Sequence, residues 1–486
     1  MPRPLPLAVA AALASASLSL PATASTQRLT VYSGGFEAVS QSRGSPSPSG
    51  YALVQRRLMV RGGELALDDL PLALDPSTVR LVGEGVRVRG QRYDFAGLDQ
   101  AQLLQRAVGS EITVEQLHGA GVRSFTGTLV AVGNGLTLRE TGGTLRVLAG
   151  YSGFTLANPP EGLVSRPTLR LRLDAAGERE AVLDYATAGL AWRAEYRADL
   201  RGEGRACTMR FEGDAMVANR SGVGFENVTL SLVAGEPNRR IDAISVSGSR
   251  GAAPMEAKMV MADAAPEPTA SGDYHRYTLP GTSDLPDGSL QRLPLLEAVS
   301  DVPCERRYDA RRDDGDWMPE RPMLQRELGG DGEVPVASRL LFSNERAGGL
   351  GVPLPAGRLR SFLDGELLGE ASLAHTAAGR PVELDLGRAF DLTAERRSVA
   401  FALDRAGRTI TETVEWTLRN GKSAPATVNV GDRLPRWTDW QLVEGAALFA
   451  KRDAQRIEAS ATVPAGGETL LRYTVRYRWA DDIIID

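Results

Sequence analysis

The sequence predicts a mainly β protein, built of multi-domain antiparallel β-sandwiches of immunoglobulin-like type with a small SH3-like or Sm-like barrel. Three observations carry this. Apolar and polar residues alternate with period two: in "LRYTVRYRW", Leu471, Tyr473, Val475, Tyr477 and Trp479 fall on one face, and Arg472, Thr474, Arg476 and Arg478 on the other. Helical periodicity is scarce. The 52 Gly and 28 Pro punctuate the whole chain, as many short strands and turns require. With 486 residues the chain is too long for one core, so about two to four domains are expected.

Residues 1–24 read as a signal peptide. Arg3 supplies a basic start, "LPLAVAAALASASLSL" an apolar stretch short for a bilayer, and Ala22 to Ala24 a small-residue cleavage site. A plain Ala-rich tail is the weaker alternative. No later stretch approaches the ~20 continuous apolar residues of a membrane helix, so no transmembrane segment is expected in the mature chain. The implied location is periplasmic or secreted.

Residues 25–105 form an N-terminal β domain. Its strands are read in "LTVYSGGFEAV", "YALVQRRLMV" and "LALDDLPLALDPSTVRL". A short helix near 98–108 follows from the stripe Leu98, Ala101, Leu104 and Val108, with Asp99 in the first turn and Gly109 as the stop. Residues 106–160 carry several short strands separated by Gly turns, the pattern of a small closed barrel. Residues 161–334 form a sandwich interrupted by a disordered loop, 249–273, rich in Ala, Pro, Met and Gly; a helix across "APMEAKMVMADAA" is the alternative. Residues 335–486 have the strand spacing of a C-terminal immunoglobulin-like sandwich. There "TITETVEWTLRN" places Ile410, Val414, Trp416 and Leu418 on one face. Glu412 interrupts that row, which suggests a strand end or a sheet edge.

Chemistry is sparse. A formal net charge of −5 gives no reason to expect a nucleic-acid partner. The histidines are His118, His275 and His375, far apart in sequence, so a shared metal site would need distant segments to converge. No G-x-S-x-G elbow is present. "NGKS" at Asn420 to Ser423 lacks the first glycine of a phosphate loop, whose place Trp416 takes, and reads as a hairpin turn. "GEGVRVRG" fails the dinucleotide spacing. "RRDDGDWMPE" gathers Asp313, Asp314, Asp316 and Glu320 without the full calcium-loop pattern, and reads as a solvated loop. No cofactor is expected. Cys207 and Cys304 either pair, closing a long loop worth about 4 kcal/mol, or remain two buried thiols.

The stretch "TAGLAWRAEYRADL" looks chemical, but parity divides it. Leu190, Trp192, Ala194, Tyr196, Ala198 and Leu200 form a core row. Ala191, Arg193, Glu195, Arg197 and Asp199 form a solvent row of alternating sign, suited to cross-strand pairing.

That stretch, with "AMVANRSGVGFENVTLSLVAGEPN", "LDDLPLALDPSTVRL", "GDYHRYTLP", "GVPLPAGRLRSF", "LGRAFDLTAERR" and "TLLRYTVRYRW", resembles a widespread bacterial family known as domain of unknown function 4139, which includes mucoidy-inhibitor-like proteins. Many members carry long coiled-coil helices where this chain has its barrel candidate, so coiled-coil assembly is not carried over. The resemblance implies an exported or envelope-associated β-sandwich protein and supplies no catalytic residues.

The expected function is that of an exported cell-envelope protein, a non-enzymatic binding or structural module with an envelope protein or glycan as partner. The alternative is an envelope polysaccharide hydrolase with loop-borne carboxylates. Aromatic residues in loops are the candidate ligand contacts: Tyr274, His275 and Tyr277, and Trp437 and Trp440 in "RWTDW".

Overall fold

The computed structural model describes residues 27–42, 47–94, 100–118, 121–158, 166–202, 205–236, 266, 268–312, 315, 317–328 and 330–483. The leader 1–24, most of the 249–273 stretch, and Asp313, Asp314 and Asp316 lie outside them. The end of 249–273 is a strand: Pro268–Ser271 pairs antiparallel with Tyr274–Thr278.

The protein is mainly β. Its described strands form sheets of eight, five, three and thirteen strands, and its two α-helices are short. Period-two alternation explains the strands. In Leu190–Arg201 the whole predicted core row is 3% exposed or less, and in Glu468–Arg478, with Trp479 just beyond it, the row from Leu471 to Trp479 is 4% exposed or less. The first helix, Phe36–Gln41, occupies part of "LTVYSGGFEAV", where a strand was expected; Phe36 and Val39, three apart, bury one helical face. The second helix is Gln100–Arg106.

Two large cores organise the chain. The first is filled by the eight-stranded sheet, the three-stranded sheet and one end of the thirteen-stranded sheet. Strands Gln27–Tyr32, Ala52–Val60 and Leu74–Val82 pair with Arg179–Thr187 and Phe225–Ala234, so residues 25–105 do not form a domain of their own. The second core packs Thr409–Asn420 and Glu468–Arg478 against Ala426–Arg433 and Arg456–Val463.

Three strands serve both cores. Leu290–Arg311 gives Leu295 and Val302 to the first and Ala310 to the second. Gly332–Ser343 gives Leu340 and Phe342 to the first and Val334 and Val336 to the second. Pro381–Asp404 gives Val382 and Leu384 to the first and Leu392 and Ala394 to the second. The boundary expected at 334/335 therefore falls inside a shared strand.

The 106–160 region is a five-stranded sheet covered by Leu104 and Ala107 of the helical segment. Its hydrogen bonding does not close: Leu145–Leu148 and Gly153–Leu156 are its two edges and do not pair with each other, so the expected closed barrel is an open sheet.

"NGKS" is not a hairpin. The strands it joins, Thr409–Asn420 and Ala426–Arg433, lie in opposite layers of the second core and do not pair. Asn420, 2% exposed, holds this corner by donating from Nδ2 to the carbonyls of Ala424 (2.9 Å) and Val463 (3.1 Å). Its Oδ1 accepts from Lys422 N (2.9 Å). Asn219 builds the same corner in the first core, donating to Val223 (2.9 Å) and Leu285 (2.8 Å) and accepting from Ser221 N (3.1 Å).

Candidate functional site

Where the shared strands leave one core and enter the other, the pairing of Gly332–Ser343 with Pro381–Asp404 slips twice, at Pro335/Ala337 and Ser338/Arg339. Gly387 takes a φ of 104° at this point, a conformation that favours glycine, and donates its N–H to Asp385 Oδ1 (2.8 Å). Beside these irregularities, at the junction of the cores, lies a cleft of about 610 Å³ lined in part by Pro335, Ala337, Arg339 and Gly387. Among the described residues six guanidinium groups line it, from Arg311, Arg312, Arg339, Arg388, Arg452 and Arg456, together with Asp309, Asp385, Asp432, Asp453 and Glu458.

The carboxylates are engaged to unequal degrees. Asp309 is 1% exposed and meets Arg307 Nε at 3.1 Å, Arg339 Nε at 3.0 Å and Asn429 Nδ2 at 3.0 Å. Asp453 accepts from the backbone N–H of Gln455 and Arg456 (both 2.8 Å), and these bonds, with the Arg456 guanidinium, hold its pKa below the usual range. Glu458 is held loosely, 3.7 Å from Arg311 and 3.9 Å from Arg452. Asp385 stands 3.8 Å from Arg339.

Asp432 connects the cleft wall to the second core. Its Oδ2 accepts from Arg396 Nε (2.8 Å), Trp416 Nε1 (3.0 Å) and Tyr473 Oη (2.6 Å), while its buried Oδ1 accepts no hydrogen bond from the described residues. Burial alone would lower the Arg396 pKa, but the Asp432 charge outweighs it and keeps the guanidinium charged. Burial raises the Tyr473 pKa, and Asp432 adds to the effect, so the hydroxyl stays a donor.

Two more buried carboxylates correct the sequence reading. Glu412 is neither at a strand end nor at a sheet edge. It lies within Thr409–Asn420, which has a partner on each side, and is 5% exposed. Arg436 explains it: Nε meets Glu412 Oε2 at 2.6 Å, and Nη1 donates to the Gln325 carbonyl at 2.6 Å. Burial would raise the Glu412 pKa, but the Arg436 hydrogen bonds and charge bring it below normal. Glu195 does not face solvent either. Only 5% exposed, it is covered by the parallel strand Gly357–Leu363, whose Arg358 (2.9 Å) and Arg360 (3.2 Å) join Arg193 (2.6 Å) around it. Ala191 of the same expected solvent row is buried as well.

The residues expected to contact ligand do not form one surface. Tyr274, His275 and Tyr277 lie on the strand Tyr274–Thr278, not in a loop. Tyr277 is a core residue, 3% exposed, edge-on to Trp192 and bonded through its hydroxyl to the Pro353 carbonyl (2.9 Å). Tyr274 packs on Gly235, and its hydroxyl reaches the Glu236 carbonyl at 3.4 Å. Trp437 and Trp440 pack against the second core; Trp440 Nε1 donates to the Ala454 carbonyl (2.7 Å) and its ring underlies Lys451. None of these five lines the cleft. The histidines do converge in part: the rings of His275 and His375 stack at 5.5 Å, and burial, then His275, lowers the His375 pKa. Among the described residues no group of three or more His, Cys, Asp or Glu could hold a metal ion.

Cys207 and Cys304 stand opposite each other on adjacent strands, Cα atoms 4.9 Å apart, and form a disulfide. The segment "GVPLPAG" is held by two tyrosines, with Tyr196 Oη donating to Pro355 and Tyr277 Oη to Pro353 (both 2.9 Å). Gly357 follows because a Cβ there would stand 2.2 Å from the Ala194 carbonyl oxygen.

Sequence reading missed the cleft because its members are spread from Asp309 to Glu458 and only the fold assembles them. The one local signal is "RRYDARR", in which a single Asp is flanked by arginines on both sides. No curated protein matches the chain. A family model, Domain of unknown function (DUF4139), matches residues 182–481, a span that contains every cleft residue and the whole second core. The chain belongs to the Domain of unknown function (DUF4139) family.

Proposed function

We propose that this chain is an exported, non-enzymatic binding or structural module of the cell envelope, periplasmic or secreted, which takes its ligand in the junction cleft. The cleft carries the reading: a concave site between two cores, lined by guanidinium donors, of which Arg339 and Arg456 are held by the neighbouring carboxylates of Asp309 and Asp453. Export is supported by the leader pattern of residues 1–24 and by the disulfide between the chain's two cysteines, since such bonds persist in oxidising compartments. No described helix is long and apolar enough to cross a membrane. The described α-helices have six and seven residues, which favours a variant without the coiled-coil insertion of mucoidy-inhibitor-like relatives.

The hydrolase reading needs a general acid in the cleft, a carboxyl held above its usual pKa. One carboxyl that burial raises among the described residues, Asp214, lies on the Ala206–Asn219 strand and does not line the cleft. Fractionation of a bacterial host expressing the full chain tests export. The protein is expected in the periplasm or medium with both thiols protected from alkylation. Full-length protein confined to the cytoplasm with Cys207 and Cys304 labelled overturns export. Release of reducing ends from envelope polysaccharide by the pure protein, abolished in Asp309→Asn, overturns the non-enzymatic reading.

A further inference from the structure

We infer that the junction cleft binds a small hydroxylated anion, a sugar acid or a sugar phosphate, with its arginines taking the anionic group and its carboxylates accepting from hydroxyls. This rests on the proposal that the chain is a binding module and adds the class of ligand. Arg388 lies in the cleft at the strand irregularity, is exposed, and has no carboxylate within ion-pair distance among the described residues. The Arg452 side chain is 70% exposed, and its one ion pair among the described residues is the 3.9 Å approach to Glu458. Each guanidinium offers five N–H donors in a planar fork that matches carboxylate or phosphate oxygens, so these two groups hold donor capacity directed at no internal acceptor.

The rest of the wall narrows the class. Glu458, with its long contacts to Arg311 and Arg452, and Asp385, 3.8 Å from Arg339, keep lone pairs that ligand hydroxyls would satisfy. Among the described residues no aromatic side chain lines the cleft, so they offer neither a nucleobase nor a flat sugar face a stacking surface. A volume of about 610 Å³ suits one or two sugar rings. The lining alternates in sign and the chain carries a net −5, so a long polyanion meets repulsion outside the cleft that a small anion does not.

Calorimetric titration of the full-length protein with glucuronate, glucose 6-phosphate, inorganic phosphate and glucose tests this. Saturable binding of glucuronate or glucose 6-phosphate is expected, with the preferred one identifying the anionic group. Glucose should bind at least about tenfold more weakly, since a charged hydrogen bond is worth about that factor or more. Inorganic phosphate, lacking sugar hydroxyls, should fall below glucose 6-phosphate. Arg388→Ala and Arg452→Ala should each weaken binding about tenfold or more with an unchanged melting temperature, and Arg388→Lys should lie between Ala and wild type. An exposed arginine outside the cleft, Arg61, changed to Ala, should bind as wild type. No saturable binding by either sugar anion, equal binding of glucose, or indifference to both Arg→Ala changes overturns the inference. Thiol protection reports export without reference to the cleft. An exported protein that binds no sugar anion therefore loses this inference alone, and a cytoplasmic protein that binds one loses export alone.

Discussion

The fully buried tryptophans of the two cores, Trp192 and Trp416, lie in different surroundings. In the first, Trp192 lies among apolar neighbours and its Nε1 donates to a backbone carbonyl, that of Val233, at 3.1 Å. In the second, Trp416 donates to the Asp432 carboxylate, which also holds Arg396 and Tyr473. The carboxylates differ in the same way. Glu195 is bound by arginines that reach solvent, Arg358 and Arg360 each with a 33% exposed side chain, whereas Glu412 and Arg436 are 6% and 3% exposed. The first core keeps its charges at the boundary, where water screens them. The second places them inside, where each depends on its partner. A buried pair tolerates joint replacement and does not tolerate the loss of one member.

The largest expected effect concerns where the first core begins. The family match starts at residue 182, yet Leu183, Tyr185, Leu230 and Leu232 pack against strands from residues 27–82. A fragment of residues 182–481 should lose protease resistance and hydrogen-exchange protection across the first core. Native-like protection there would mean that the core does not need its N-terminal strands.

Asp432→Ala should cost about 3–5 kcal/mol because it leaves Arg396 buried without its main partner. The pair Asp432→Leu with Arg396→Met should recover much of that loss in denaturant melts. A double variant as unstable as Asp432→Ala would show that Trp416 and Tyr473 need the carboxylate in its own right. Trp192→Ala should cost a similar ~3–5 kcal/mol by leaving a cavity, with no partner substitution able to restore it.

Acid should separate the cores. Folding lowers the Glu412 pKa below its ordinary 4.5. The unfolded chain then binds more protons, so stability present above 4.5 is lost as pH falls through the folded value. Glu195 is shifted the same way, but its partners Arg358 and Arg360 reach solvent, so its loss should be smaller. Hydrogen exchange from pH 5 to 3 should show the second core losing protection first; the reverse order would contradict the contrast drawn between the cores.

The smallest effect belongs to His375, whose folded pKa lies below its ordinary 6.5. Stability is full above that value and falls slightly as pH drops below it. Wild type should melt lower at pH 5.5 than at 7.5 by an increment that His375→Asn removes. An unchanged increment would mean that the stacked pair does not sense protons.

How much was legible varies residue by residue. The core rows of Leu190–Arg201 and Glu468–Arg478 were read from parity alone, because alternation is a local property of an extended backbone. The Tyr274, His275 and Tyr277 group was read as a loop, although its own alternation, with Tyr277 inward, marked a strand. Glu412 is not legible locally: a charge in an apolar row signals an edge, and its partner lies 24 residues on, at Arg436, beyond any local pattern.

The sequence by itself determined that the chain is mainly β and which side chains many of its strands turn inward, since two-residue periodicity and Gly–Pro punctuation act within one strand. It also determined the family, because the matching segments are local. Only the tertiary structure decided which polar rows are covered. Glu195 became interior when Gly357–Leu363 aligned beside it, Asp432 when Trp416 and Tyr473 enclosed it, and six arginines became one cleft when shared strands turned between two cores. Burial of a charge depends on what lies across from it, and a sequence read along the chain does not contain that neighbour.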